Sequence, residues 1–204
     1  PDDVTPYRDL VHRWHLDKAN PENEISAPIE PIVWWIENTT PHEFRGAIQE
    51  GVLAWNKAFE EAGFRNAIQV KVQPDDADWD AGDIRYNVLR WTSSPNPPFG
   101  GYGPSFVNPR TGQILGADIM LEYVYFTNRV KYEQLHKTLG PELEFDPKST
   151  CMAGSYLHQG NLFGMTALSS LDNFSQLEQH RLIYESLVKL TLHEVGHTLG
   201  LNHN

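Results

Sequence analysis

Two histidines and a glutamate stand together late in the sequence, in the order His193, Glu194 and His197. On an α-helix, residues four apart lie one turn apart on the same face. The two imidazoles can therefore converge on one metal ion at about 2.0–2.1 Å, which is the distance that zinc requires. Glu194 lies beside that face, where a carboxylate can take a proton from water. The pattern predicts a zinc site with a general base.

The residues after His197 predict a third ligand, His203. If the helix continued, ten residues of rise would separate His193 from His203 by about 15 Å, which is too far for a shared ion. Gly200 is a place for the helix to end, because glycine accepts the positive φ that turns the chain back. Three neutral imidazoles would then leave the fourth tetrahedral position to water, as in catalytic zinc sites.

A long helix is needed to carry these side chains. Ser175 and Glu178 form a capping box, and neither Pro nor Gly interrupts the sequence from there to Gly196. Apolar residues at helical spacing form one stripe, which we predict to face the core: Tyr184, Val188, Leu192, Val195 and Leu199. The histidines then project from almost the opposite side of this helix.

A strand–helix–strand unit is predicted in the first half of the sequence. Residues 32–36 are β-branched and aromatic, which is typical of a buried strand, and residues 68–72 alternate in polarity as a second strand. Between them Thr40 begins a capping box, and we predict one helix over residues 41–62 with Gly63 as its C-terminal cap. This order implies parallel pairing of the strands with the helix on one face.

Further strands are predicted downstream of this unit. Residues 84–91 form a third strand-like run, and turn-forming residues at 108–112 separate two more, at 102–107 and 113–121. This arrangement predicts a hairpin-like reversal. The patterns beyond it predict a helix and then mostly irregular chain, over residues 123–139 and 140–174.

The run at residues 102–107 is the candidate edge strand of the sheet. An extended peptide can add itself to such an edge as a further strand, through main-chain hydrogen bonds. Glycines in this region would permit the backbone of such a peptide to approach closely. The alternative interpretation is an ordinary glycine-rich loop and hairpin. The predicted substrate-binding residues are Gly101, Tyr102, Gly103 and Ser105.

Composition excludes several classes of function. The 204 residues include 27 acidic and 16 basic side chains, giving a net charge of -11, which repels nucleic acids and anionic membrane surfaces. A hydrophobic content of 40% is typical of a globular chain. No apolar run is long enough for a membrane span, and the sequence does not begin with a signal peptide. We expect it to be a piece of a longer protein.

The stretch HEVGHTLGLNH, from His193 to His203, resembles the extended zinc-binding signature of the metzincin metallopeptidases. Further stretches resemble a large bacterial group of zinc-dependent metalloproteases in that clan, at residues 31–36, 55–64, 83–86 and 103–112. The resemblance implies that His193, His197 and His203 bind one catalytic zinc ion. It also implies a metalloendopeptidase that hydrolyses peptide bonds through a zinc-bound water, with Glu194 as the general base.

The resemblance implies a fold and a setting as well. The fold is α+β, a metzincin-like upper subdomain with a twisted mixed sheet, an antiparallel edge strand, a backing helix and the active-site helix. We expect residues 1–30 to form an N-terminal arm and residues 31–204 to form this subdomain. Metzincins carry a methionine turn downstream of the third histidine, but the methionines here precede the motif: Met120, Met152 and Met165. The lower subdomain is therefore expected in the downstream remainder of the parent protein, in the periplasm or outside the cell.

Two other functions fit parts of the pattern. A metallohydrolase similar to the peptide deformylases would use Cys151 as its third ligand, but it leaves Gly200 and His203 unexplained. A noncatalytic binding module would use zinc only to pin the helix, which requires no carboxylate at Glu194. A calcium site in the acidic loop at residues 75–83 is the weaker metal hypothesis, because the loop lacks the glycine and the glutamate that an EF-hand requires.

Overall fold

The computed structural model describes residues 10–94, 100–122, 160, 163–164 and 176–203. Within them the chain forms an α+β fold on a six-stranded mixed sheet. The strands are β1 (Ile32–Ile36), β2 (Ile68–Val72), β3 (Asn87–Thr92), β4 (Gly101–Tyr102), β5 (Ser105–Val107) and β6 (Ile114–Glu122). The helices are α1 (His42–Leu53), α2 (Asn56–Glu61) and α3 (Gln176–Thr198). Of the helices in this part of the chain, none combines the length and the apolar character that a membrane span needs.

Several predicted features lie outside the described residues. They are the helix at residues 123–139, most of the irregular segment at 140–174, the capping residue Ser175 and the alternative ligand Cys151.

The sheet combines parallel strands with an antiparallel edge. Its order is β2-β1-β3-β6-β4, and β5 also pairs with β6. Parallel pairing joins β2 to β1, β1 to β3 and β3 to β6, whereas β4 and β5 run antiparallel to β6. The parallel strand–helix–strand unit is thus confirmed. The predicted reversal at residues 108–112 is also confirmed, with Gly112 at a φ of 74°.

The central strand β1 shows why these residues form a sheet. Its side chains alternate between a buried and a partly exposed face, and Ile32, Trp34 and Ile36 are the buried ones. These three belong to one core cluster with Ile48 of α1 and Leu187 of α3. The core therefore lies between the sheet and the two longer helices.

The single helix predicted over residues 41–62 is wrong in two respects. The helix is interrupted at Ala54 and Trp55, where the indole N–H of Trp55 donates to the carbonyl of Leu192 in α3 at 2.9 Å. Thr40 does not cap α1: the N-cap residue is Pro41, and the buried Thr40 hydroxyl has no hydrogen-bond partner among the described residues. The C-terminal cap is confirmed, since Gly63 has a φ of 87°.

The third strand begins later than predicted, at Asn87 and not at residue 84. Asp83 accepts hydrogen bonds from the backbone N–H and the guanidinium of Arg85. These bonds hold residues 83–85 in a turn, so the strand can begin only after them. Arg85 lowers the pKa of the partly exposed Asp83 to about 2, mainly through the hydrogen bonds that it donates. Among the described residues, the acidic loop brings no three carboxylates together in a group that could share an ion, so the calcium hypothesis gains no support.

The buried face of α3 also differs from the predicted stripe. Tyr184 is 37% exposed, and the fully buried side chains are Leu187, Leu190, Thr191, Glu194, Val195 and Thr198. At 100° per residue this face lies about 90° from the predicted one. The reason is that α3 packs on α1 as well as on the sheet. Tyr184 belongs to the α1 side, where its hydroxyl donates to Glu50 at 2.8 Å.

Candidate metal centre

The end of α3 turns the chain back toward the histidines. Gly200 has a φ of 95°, as predicted for a glycine that ends the helix. The N–H of Gly200 donates to the carbonyl of His197 at 3.0 Å, and that of Leu201 donates to Gly196 at 3.1 Å. These two bonds satisfy carbonyls of the last helical turn and direct the following residues, up to His203, back along the helix.

The structure brings the three predicted ligands together. The Nε2 atoms of His193 and His197 are 3.0 Å apart, and those of His193 and His203 are also 3.0 Å apart. The third pair, His197 and His203, is separated by 3.1 Å. Tetrahedral ligands at the zinc–nitrogen distance would be about 3.3 Å apart, so the triangle has nearly the size that zinc needs.

The chemistry of the three nitrogens favours a cation at their centre. Each Nε2 has one direction for bonding in the plane of its ring, occupied by either a lone pair or a proton. Three such atoms that converge on one point cannot all be satisfied by sharing protons, whereas a metal ion accepts all three lone pairs. Among the described residues, His193, His197 and His203 are the one group with the geometry to hold a metal ion.

Contacts around the histidines keep the imidazoles in the form that binds metal. The Nδ1 atom of His197 lies 2.9 Å from the carbonyl oxygen of Leu201. Because a carbonyl only accepts, Nδ1 carries the proton and the lone pair is left on Nε2. Burial, followed by the neighbouring His197 and His203, lowers the pKa of His193 and so favours its neutral form.

Glu194 projects toward the edge of the sheet. Its side chain is fully buried, at 0% exposure, and it lies against Gly101 of β4. A Cβ atom at Gly101 would be 2.7 Å from both Cγ and Oε1 of Glu194, and one at Gly103 would be 2.8 Å from the Glu194 carbonyl oxygen. Both glycines therefore allow α3 to approach the edge strand closely, whereas the sequence predicted the close approach of a bound peptide in this region.

The predicted substrate-binding residues fall into two groups. Gly103 and Ser105 line a cavity of about 810 Å³ together with His197. Gly101 and Tyr102 lie in β4 outside that lining, and Tyr102 is exposed. A second cavity, of about 370 Å³, opens beside His193 and His203. The centre is thus open on two sides, and substrate binding at these residues stays a prediction.

One further contact at the centre is not predictable from the sequence. The indole N–H of Trp14, in the N-terminal arm, donates to the carbonyl of Thr198 at 2.9 Å. The two residues are 184 positions apart, and no local pattern connects them.

Comparisons of the chain with protein-family models, with curated proteins and with solved structures find no match. The function must therefore be inferred from the geometry of the centre and from the chemistry of its residues.

Proposed function

We propose that this protein is a zinc-dependent metalloendopeptidase of the metzincin type. The observation that carries the proposal is the triangle of three Nε2 atoms, 3.0–3.1 Å on a side, with the buried Glu194 adjacent to His193 in the chain. Structural zinc sites are closed by four protein ligands, whereas catalytic sites use three and leave one position open. Three histidines between two open cavities fit the catalytic type.

The residues of this chain have separate roles in the proposed reaction. His193, His197 and His203 hold the zinc ion, and the carbonyl of Leu201 orients the imidazole of His197. When bound, zinc supplies Lewis acidity, which acidifies water and polarises a carbonyl group. Glu194 accepts a proton from the attacking water as the new carbon–oxygen bond forms. It then delivers this proton to the leaving amine as the carbon–nitrogen bond breaks.

The substrate in this proposal is an extended peptide added to the sheet as a strand. The end position of β4 in the described sheet supports this, because an edge strand presents main-chain groups for pairing. The residues proposed to contact it are Gly101, Tyr102, Gly103 and Ser105. The metzincin upper subdomain, a lower subdomain in the downstream part of the parent protein and a periplasmic or extracellular setting belong to the same proposal.

The alternative with Cys151 as third ligand has less support. The three histidines could hold an ion without a thiol. A noncatalytic module requires no carboxylate at position 194, whereas the proposed peptidase needs Glu194 as its general base. A change at Glu194 therefore distinguishes the two functions.

The test replaces Glu194 by glutamine, which keeps the size of the buried side chain and removes its basicity. We expect Glu194→Gln to bind one zinc ion per chain, like the wild type, and to lose hydrolysis of a denatured protein substrate by about 10²–10⁴-fold. Metal content and turnover are measured on the same preparations, with His193→Ala as the variant that loses the metal. Undiminished cleavage, or loss of zinc from Glu194→Gln, contradicts the proposal.

A further inference from the structure

The N-terminal arm crosses the end of α3 at the metal centre. Its course is fixed by backbone bonds to the turn before β6: the N–H of Arg13 donates to Gly112 at 3.1 Å, and the carbonyl of Arg13 accepts from Ile114 at 2.9 Å. From there the arm runs against Gly200, and Trp14 joins the partly buried residues around the core. Residues that precede the sheet in the chain therefore contact the segment that carries the third ligand.

Gly200 meets the arm through its backbone. A Cβ atom at this position would overlap the carbonyl oxygen of His12. In addition, residues other than glycine rarely adopt a backbone φ of 95°. The glycine is thus required twice, once for the turn and once for the contact. The turn after α3 and the arm fit against each other without room for a side chain.

Trp14 makes the one side-chain hydrogen bond between the arm and this turn within the described part of the chain. Its indole N–H donates to the carbonyl of Thr198, which belongs to the last turn of α3 and lacks an intrahelical partner. Thr198 follows the second ligand directly and precedes His203 by five residues. The bond therefore fixes the helix end between two ligands.

The segment that carries His203 needs such an anchor. Residues 201–203 are all exposed, and Leu201 is 51% exposed. Ordering an exposed segment costs conformational entropy, about 1–2 kcal/mol per residue, and this cost lowers the affinity of any ion that needs the segment ordered. A contact that orders it beforehand raises the affinity without touching the metal.

We propose that Trp14 is a positioning residue for the metal centre: it holds the end of α3 so that His203 is placed for metal binding before the ion arrives. This inference rests on the metal-binding part of the proposed function and not on peptide hydrolysis. Groups that hydrogen-bond directly to metal ligands change metal affinity by about 10–100-fold, and Trp14 acts one contact further out, so the lower end of this range is expected.

The test compares two tryptophans, one at the centre and one outside it. Trp14→Phe removes the N–H to Thr198 and keeps an aromatic ring. Trp35→Phe is the control, because its ring packs edge-on against Trp79 and Tyr86 and lies outside the lining of both cavities at the centre. Zinc affinity is measured by chelator competition, and coordination by the absorption spectrum of the Co²⁺-loaded protein. We expect Trp14→Phe to weaken zinc binding about tenfold. Its Co²⁺ spectrum should shift toward that of His203→Ala, whereas Trp35→Phe should match the wild type in both measurements.

A double variant separates positioning from general stability. If Trp14 acts through His203, Trp14→Phe has no further effect on zinc affinity once His203 is alanine. Equal losses in both backgrounds, or no loss in the single variant, overturn the inference. A wild-type chain that does not bind zinc overturns the proposed function together with this inference, so the two failures are distinguishable.

A second measurement needs no variant and covers the case in which Trp14→Phe fails to fold. Because coupling is reciprocal, zinc must stabilise the arm if the arm favours zinc binding. We expect zinc to slow hydrogen exchange at the amides of Arg13 and Ile114 by a larger factor than at the β2 amides, which zinc protects only through the stability of the whole fold. Unaltered exchange at Arg13 and Ile114 on zinc binding contradicts the inference.

Discussion

At the scale of single residues, Glu194 is an ionisable side chain held inside the protein. An ionised carboxylate is costly to bury unless polar groups or a metal compensate, and such groups concentrate at functional sites. Its side chain lies against Gly101, a residue of the edge strand and not of its own helix. The placement of the proposed general base therefore depends on the backbone of β4.

Gly101→Ala is expected to reduce peptide hydrolysis while leaving zinc bound. The added Cβ would be 2.7 Å from Cγ and Oε1 of Glu194, and the carboxylate must move to admit it. A catalytic group that is misplaced by about 1 Å can lower kcat by about 10²-fold. Zinc content and kcat are measured together.

Gly116→Ala is the matched control for this change. It adds the same methyl group in β6, where the nearest atom would be at 3.4 Å, an ordinary contact. Unchanged kcat in Gly101→Ala would show that Glu194 does not need its present position.

At the scale of elements, α3 carries the centre because α1 holds it on one side and the sheet on the other. Two glycines of α1 face α3 at different distances. A Cβ at Gly51 would be 2.7 Å from the carbonyl oxygen of Val188, whereas one at Gly46 would be 3.7 Å from the hydroxyl of Tyr184. Of these two positions, Gly51 is therefore where the helices are closer together, at a residue of α3 that precedes His193 by five positions.

Opposite changes in stability are expected from the two alanine substitutions. In Gly51→Ala the overlap with Val188 costs about 1–3 kcal/mol, which exceeds the gain in helix propensity. In Gly46→Ala the new methyl group fits, and the better helix propensity adds about 0.5–1 kcal/mol. Urea unfolding measures both. An increase in the stability of Gly51→Ala would contradict the packing described here.

The sequence predicted the elements that local patterns determine. The alternation in β1, the left-handed glycines Gly63 and Gly200, and the spacing of the histidines all act within a few residues, and the structure has them as expected. Tertiary contacts determined the rest. The buried face of α3 was missed because α1 competes with the sheet for it, and Trp14 was missed because its partner is 184 positions away.

At the scale of the whole molecule, the candidate ligands lie outside the core. Among the described residues, the core cluster joins the sheet to α1 and α3 through apolar side chains and includes none of the three histidines. The three histidines lie at and just after the C-terminal end of α3, next to two open cavities. We therefore expect the core to fold without the ion.

Removal of zinc is expected to leave the fold intact and to lower its stability. With a chelator, the far-UV circular dichroism spectrum should stay unchanged at 25 °C. Added zinc should raise the melting temperature, and free zinc at 100 times its Kd should add about 2.7 kcal/mol to the free energy of unfolding. A chain that unfolds on chelation would instead have a structural metal site, as the noncatalytic module requires.

The contact between Trp14 and Thr198 also sets a time order for protein synthesis. Ribosomes add roughly 5–20 residues per second, so the 184 positions between these two residues correspond to roughly 10–40 s of synthesis. Every strand of the described sheet is synthesised within that interval, while all three histidines and the partner of Trp14 are still missing. A nascent chain can thus form its sheet before any of the proposed zinc ligands exists, and the proposed ligand set becomes complete only when residue 203 is added.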